Sequence, residues 1–301
     1  MPKIAAALAF PLIFFAALLL LPQMYWTRCM AVLLTVAAWE WAYLTGIKSS
    51  GRLVFAALFL ALCVGALFFL PAEVLRLPET QDDHLGMVFI FSESQYLADW
   101  VYALVAVFWC LIAPLWAWHG GRLTQTAWGK GFQLVLGAGL LLAVWPASVQ
   151  LRDEGYGVLL LVYLLCFVRV IEVFALFCGQ RFAGRARKCW RCCAIAGGAV
   201  IGCILFSLIL SGMLMVIFYA RGFPPSAREV MIIGSALLSL SQLPFIALSI
   251  GGGHWLVMLR QQAGVETHSL PIRVLEYLHG LMAVLPTFAL ALLWLMRSDA
   301  P

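Results

Sequence analysis

Long apolar runs, each about the length needed to cross a lipid bilayer, follow one another along almost the entire chain. A helix crosses the hydrocarbon core with roughly 20 apolar residues. A soluble domain carries about 25% charged residues, whereas 11% of these 301 residues are charged and 64% are hydrophobic. The pattern predicts an all-α, polytopic membrane helix bundle. We place about nine transmembrane helices at 4–22, 29–46, 53–70, 101–118, 131–149, 158–178, 193–219, 230–250 and 280–296.

The distribution of Lys and Arg predicts which side of the membrane each connection occupies. Basic residues concentrate in the cytoplasmic connections of membrane proteins, and the densest basic cluster here is the connection 179–192. If that connection is cytoplasmic and the spans alternate, twelve Lys and Arg residues lie inside and six outside, with the acidic connection 71–100 outside. We therefore predict a cytoplasmic N-terminus. The net charge of +5 suits anionic lipid head groups, and no basic soluble module points to nucleic acid.

The sequence predicts a single membrane domain over residues 1–301, without linkers or internal repeats. Most cysteines lie within the apolar runs, where they behave as small apolar residues. Cys189, Cys192 and Cys193 form a C-x-x-C-C in the basic connection but lack the second pair that a structural zinc site needs. Reduced cytoplasmic thiols are the simpler interpretation, and zinc binding is the open alternative.

Three charged residues fall within the apolar runs, namely Glu40, Arg169 and Glu172. A charge in lipid is costly, so each should face the protein interior and have a partner. Arg169 and Glu172 are three residues apart and can pair on one helix face. One interpretation is a self-neutralising structural pair. The other is the wall of a polar cleft open to the cytoplasm, which is favoured by the predicted inner positions of Glu40 and Glu172 and by Arg181 at the helix exit.

Two further patterns concern contacts between helices. Gly198 and Gly202 form a small-xxx-small pair, which predicts close helix packing. Polar residues recur at helical spacing in the run 230–250, either to bond neighbouring helices or to line a site. These residues are Ser235, Ser239 and Gln242, ahead of Pro244.

Three segments resemble bacterial phosphatidate cytidylyltransferases, the CDP-diacylglycerol synthases. "AAWEWAYLTG" (37–46) looks like that family's second helix, and "GYGVLLLVYLLCFVRVIEVFALFCGQRF" (155–182) is similar to its segment ending in Asp, then A-Y-F-x-G-R-x-F-G. "VLEYLHGLMAVLP" (274–286) resembles the family's V-L-D-R-I-D-S-L-x-x-x-x-P. In this resemblance Glu172 and Glu276 replace two aspartates, and the likeness in hydropathy and order covers nearly the whole chain.

The resemblance implies that the protein joins CTP and phosphatidate into CDP-diacylglycerol and pyrophosphate in a bacterial inner membrane. It implies Mg²⁺ as cofactor, CTP and the anionic phospholipid as partners, and leaves a homodimer open. Metal-bound carboxylates would neutralise phosphate charge. The implied catalytic residues are Glu172 and Glu276, and the implied metal ligands are Glu172, Glu276 and His279. The implied substrate-binding residues are Arg169, Arg181, Ser249, Gly252 and Arg260.

The family's signature is incomplete in segment 251–279, which is amphipathic like a helix at the membrane interface. Gly253 and Leu256 stand where the family has Asp and Glu, and His279 stands at a further Asp. Thr267 replaces another Asp. These losses leave two hypotheses open: a divergent enzyme with weak or lost catalysis, and a non-catalytic relative that binds an anionic lipid beside a partner enzyme. A transporter is a weaker alternative, because Pro244 is a single helix break without a matching repeat.

Overall fold

The computed structural model describes residues 13–69, 93–113, 127–153, 157–182, 188–220, 243–248 and 274–298, with the single positions 250, 253 and 259. Its secondary structure in these ranges is helical. The longer helices are α1 (Gln23–Leu44), α2 (Ser49–Phe69), α3 (Glu93–Val107), α4 (Ala127–Asp153), α5 (Gly157–Phe182), α6 (Lys188–Ala220) and α7 (Val274–Ser298). Shorter helical stretches occupy 13–20 and 243–248, and a π-helical turn, Phe108–Ile112, continues α3.

Three helical segments within these ranges are long and apolar enough to cross a membrane: Ser49–Ala66, Gly129–Arg152 and Gly157–Ala175. Large apolar side chains are exposed on α2, where Leu53 is 69% exposed, and on α6, where Ile209 is 63% exposed. Such exposed apolar surfaces are typical of a membrane interaction site. The all-helical class and the presence of helices able to span a membrane are confirmed. The count of about nine spans stays a prediction.

Most helices extend beyond the apolar runs that predicted them. The run 29–46 becomes a helix that already begins at Gln23, and the run 101–118 lies in a helix that begins at Glu93. Hydropathy marks only the apolar part of a helix, whereas polar first and last turns continue the same backbone. The first boundary is fixed by Pro22, which has a φ of −57° and ψ of 156° and precedes Gln23 as its N-cap. Proline also stops the preceding helix over 13–20, because it has no N–H to continue the helical hydrogen bonds.

The chain forms two compact units, one made of residues 1–163 and 252–301 and the other of residues 164–251. In the first unit α1 packs against α2, α4 and α7, while α7 also packs against α3 and α4. The C-terminal end of α1 meets the beginnings of α4 and α7 through Trp41 and Glu40. Its N-terminal end meets the last turn of α4 through Gln23. Helix α1 is therefore antiparallel to α4, and its C-terminal end meets the beginning of α7.

Buried tryptophans join these helices by donating indole N–H groups to backbone carbonyls. Trp41 Nε1 lies 3.0 Å from the Gln133 oxygen, and Trp109 Nε1 lies 3.2 Å from the Met282 oxygen. The second bond compensates for a proline. In a regular helix the N–H of residue 286 would donate to the Met282 carbonyl, but residue 286 is Pro286, which has no N–H. The Trp109 indole supplies the missing donor to that carbonyl.

In the second unit α6 runs close against α5. A Cβ added at Gly198 would lie 2.6 Å from the Phe174 carbonyl oxygen, and one added at Gly202 would lie 2.9 Å from the Phe174 Cβ. Neither position has room for a side chain. The predicted close packing at this glycine pair is confirmed, and the rings of Phe167 and Phe206 continue the contact with centroids 6.0 Å apart.

Candidate functional site

The charged pair on α5 forms the ion pair that its spacing predicts. Arg169 Nη1 lies 2.7 Å from Glu172 Oε2, and the two side chains are 35% and 16% exposed. Since α5 extends to Phe182, Glu172 lies ten residues, or about 15 Å, from the helix end. The pair therefore lies well inside α5, and Glu172 is three residues from the end of the candidate membrane span Gly157–Ala175. Its predicted position at the inner side of the membrane stays a prediction. Its pairing is confirmed, while its role as a cleft wall stays a prediction.

Position 253 and residue His279 are brought together although 26 residues separate them. A Cβ built on Gly253 would lie 3.0 Å from His279 Nε2 and 3.4 Å from its Cδ2. The imidazole thus packs directly against the Gly253 backbone. A side chain at position 253 would crowd it. The resemblance aligns both positions with aspartates of the family signature. The resemblance placed Gly253 and His279 in the same signature, and the structure adds that they are in contact.

Glu40 does not line an open cleft, contrary to our expectation. Its side chain is 1% exposed, and its carboxyl oxygens accept hydrogen bonds from the backbone N–H groups of Val274, at 3.0 Å, and Leu275, at 2.7 Å. The first N–H groups of a helix have no partner within the helix. Glu40 supplies that partner from 234 residues away, and a negative charge is favoured at this positive helix end.

Five other predicted site residues lie outside the described residues, either entirely or with their side chains. Glu276 lies on the first turn of α7 and Arg181 on the last turn of α5, but only their backbones belong to the described part. Ser249, Gly252 and Arg260 fall outside the described residues, as do Ser235, Ser239 and Gln242 of the polar stripe. Their predicted roles in binding substrate and catalysis stay predictions.

No cluster of three or more His, Cys, Asp or Glu side chains able to hold a metal occurs within the described ranges. The Glu276 side chain lies outside them, so a magnesium set of Glu172, Glu276 and His279 stays a prediction. Cys189, Cys192 and Cys193 lie on the first turns of α6 with only their backbones described. Cys63, which is buried on α2, is a free thiol.

A buried arginine, Arg152 of α4, lies near the N-terminal end of α1 and was not among the predicted site residues. Its side chain is 9% exposed. The guanidinium donates to the carbonyl oxygens of Leu18 and Leu21 and to Gln23 Oε1, and its carbon lies 5.3 Å from the Trp26 ring centroid. These carbonyls end the helix over 13–20, where four C=O groups lack intrahelical partners. The proline at position 22 was the available signal, since it marks a helix end needing such donors.

No protein-family model matches this sequence, and neither a curated protein nor a solved structure matches it. The resemblance to phosphatidate cytidylyltransferases therefore rests on the three quoted segments and on the incomplete signature.

Proposed function

We propose that this protein is a phosphatidate cytidylyltransferase-like membrane protein of phospholipid biosynthesis, in which nucleotidyl transfer is weak or lost. The observation that carries the proposal is the contact between Gly253 and His279. Two positions aligned with acidic residues of one signature would be neighbours in a folded site, and these two are neighbours. The contact supports the proposed alignment of both positions with one family signature.

The residue types at these two positions explain why catalysis would be weak. Transfer of this type depends on metal ions that bridge phosphates and offset developing charge. Mg²⁺ takes oxygen ligands in near-ideal octahedral geometry. A glycine supplies no side-chain ligand, and an imidazole supplies nitrogen. Glu172 and Glu276 are the carboxylates left to hold Mg²⁺ together with the phosphates of CTP and phosphatidate. Arg169, Arg181 and Arg260 would bind the substrate phosphates.

The alternative is a non-catalytic relative that keeps the lipid site and binds phosphatidate or another anionic lipid, beside a partner enzyme. The intrahelical pair favours this alternative, because Glu172 is already engaged with Arg169 at 2.7 Å. A carboxylate that neutralises a neighbouring guanidinium is a weaker metal ligand than a free one. If Glu172 bound Mg²⁺ instead, Arg169 would lose its partner and would have to pair with the lipid phosphate.

The test is CDP-diacylglycerol formation by purified protein from CTP and phosphatidate, with and without Mg²⁺. We expect at most slow turnover by the unmodified protein, together with saturable binding of phosphatidate and little binding of phosphatidylcholine. Glu276→Gln is the control for turnover. Rapid Mg²⁺-dependent turnover that this change abolishes would show that the site was rebuilt and would refute the weak-catalysis proposal. Equal binding of both lipids would refute the lipid specificity.

We also propose that the protein resides in the bacterial inner membrane with a cytoplasmic N-terminus. The support is the concentration of Lys and Arg in the connection 179–192 and of acidic residues in 71–100. Single-cysteine variants at Asp82 and Arg185, made in a cysteine-free background, can be treated on intact cells with an impermeant thiol reagent. We expect labelling at position 82 alone, and labelling at position 185 alone would invert the orientation.

A further inference from the structure

The carboxyl group of Glu40 connects the end of α1 to the beginning of the helix that carries two candidate site residues. Its two oxygens accept the Val274 and Leu275 N–H groups at 3.0 and 2.7 Å. The contact is buried, so water cannot replace either bond without the helices separating. One side chain therefore fixes both the axial position and the direction of the first turn of α7.

The next residue along α1 makes a second connection. Trp41 is 0% exposed and donates its indole N–H to the Gln133 carbonyl of α4 at 3.0 Å. Glu40 and Trp41 are adjacent in sequence, and they hold α7 and α4 to the same turn of α1. The position of α7 is therefore fixed by its contact with α1, which is itself held to α4, and not only by the segment that precedes α7.

The candidate site residues follow directly on the fixed turn. Glu276 is the next residue after Leu275, and His279 comes one helical turn later and packs against Gly253. On a helix, a shift at the first turn moves every following side chain by the same translation or rotation. Misplacement of a reacting group by about 1 Å can reduce a rate roughly a hundredfold.

We propose that Glu40 is a positioning residue of the lipid site: its carboxyl group holds the first turn of α7 so that Glu276 and His279 keep their places. The part of this inference that concerns ligand binding rests on the proposed function. Glu40 itself does not touch substrate or metal in this role, since its two carboxyl oxygens are directed at the backbone of α7.

A buried residue can also be important only because the protein is less stable without it, and Arg152 offers a matched control. Arg152 is likewise buried and donates to backbone carbonyls, but it lies at the opposite end of α1. Glu40→Gln keeps one oxygen acceptor, Glu40→Met keeps the side-chain length with no carboxyl oxygen, and Arg152→Met removes the control contact. If Glu40→Met does not fold, Glu40→Gln carries the test.

Two measurements on the purified full-length proteins decide between the roles. The first is hydrogen–deuterium exchange over 274–280, which needs no ligand. Complete loss of a helix N-cap corresponds to about a fivefold change in an opening equilibrium. We therefore expect exchange in this segment to rise by about fivefold in Glu40→Met, to rise by a smaller factor in Glu40→Gln, and to stay unchanged in Arg152→Met.

The second measurement is the dissociation constant for short-chain phosphatidate, obtained from its stabilisation of each protein against heat, with short-chain phosphatidylcholine as the comparison lipid. We expect both Glu40 variants to bind phosphatidate several-fold more weakly, while Arg152→Met loses thermal stability without a change in the dissociation constant. Unchanged exchange over 274–280 in Glu40→Gln would overturn the inference whatever the lipid result.

Two remaining outcomes separate the inference from the function on which it rests. Faster exchange without weaker phosphatidate binding in the Glu40 variants would make Glu40 a structural cap only, and would overturn the inference while leaving the proposed function intact. An unmodified protein that does not distinguish phosphatidate from phosphatidylcholine would instead refute the lipid site, and with it the role of Glu40 in that site.

Discussion

Replacing Gly137 by alanine tests the contact that joins α1 to α4. A Cβ at this position would lie 2.0 Å from Trp41 Nε1, 2.1 Å from its Cε2 and 2.5 Å from its Cδ1. These are ring atoms of a fully buried side chain, so no flexible end can move aside. The indole must leave its position, and its 3.0 Å hydrogen bond to the Gln133 carbonyl breaks.

The expected loss of stability follows from two contributions. Overpacking a close-packed core costs about 1–3 kcal/mol, and an interhelical hydrogen bond in a membrane protein contributes about 0.6 kcal/mol on average and at most about 1.7. Alanine in place of glycine returns up to about 1 kcal/mol through helix propensity. The net effect is a destabilisation of about 1–3 kcal/mol.

Gly139, two residues further along α4, is the matched control. A Cβ there would meet nothing within 4 Å, so Gly139→Ala gains helix propensity without a clash. The assay is thermal unfolding of the purified protein in one detergent, read as the loss of monodisperse protein. We expect Gly137→Ala to unfold at lower temperature than the unmodified protein and Gly139→Ala at the same or higher temperature. Equal unfolding temperatures for the two variants would show that Trp41 does not occupy this position.

Two further predictions concern the other helix contacts. Gly202→Ala should lower the unfolding temperature because its Cβ would meet an α5 side chain at 2.9 Å, whereas Gly212→Ala, with nothing within 4 Å, should not; similar results for both would contradict the described packing of α5 and α6. Trp109→Phe should destabilise by about 1 kcal/mol, since the Met282 carbonyl then loses its donor. The loss should shrink when Pro286→Ala supplies the backbone N–H, and a loss of the same size in that background would refute the pairing.

The sequence alone determined that the chain is helical and that some of its helices can cross a membrane. These conclusions depend on local properties. Apolar segments can satisfy their backbone groups in lipid only as a helix or a closed barrel, and barrel strands alternate apolar with polar residues over about ten residues, unlike these continuous apolar runs. The pairing of Arg169 with Glu172 was predictable for the same reason, since a spacing of three residues fixes which side chains meet on a helix. The need for small residues at positions 198 and 202 was also readable from their spacing.

Only the tertiary structure decided what the isolated charges and glycines do. Glu40 was expected in a cleft, but its partners lie 234 residues away in sequence, and no local pattern identifies them. Gly137 could not be distinguished from Gly139, because the difference between them is the position of the Trp41 ring on another helix. The contact of Gly253 with His279 likewise depends on how α7 is held. Side chains far apart in sequence meet according to how whole helices pack, and the packing is a property of the complete bundle.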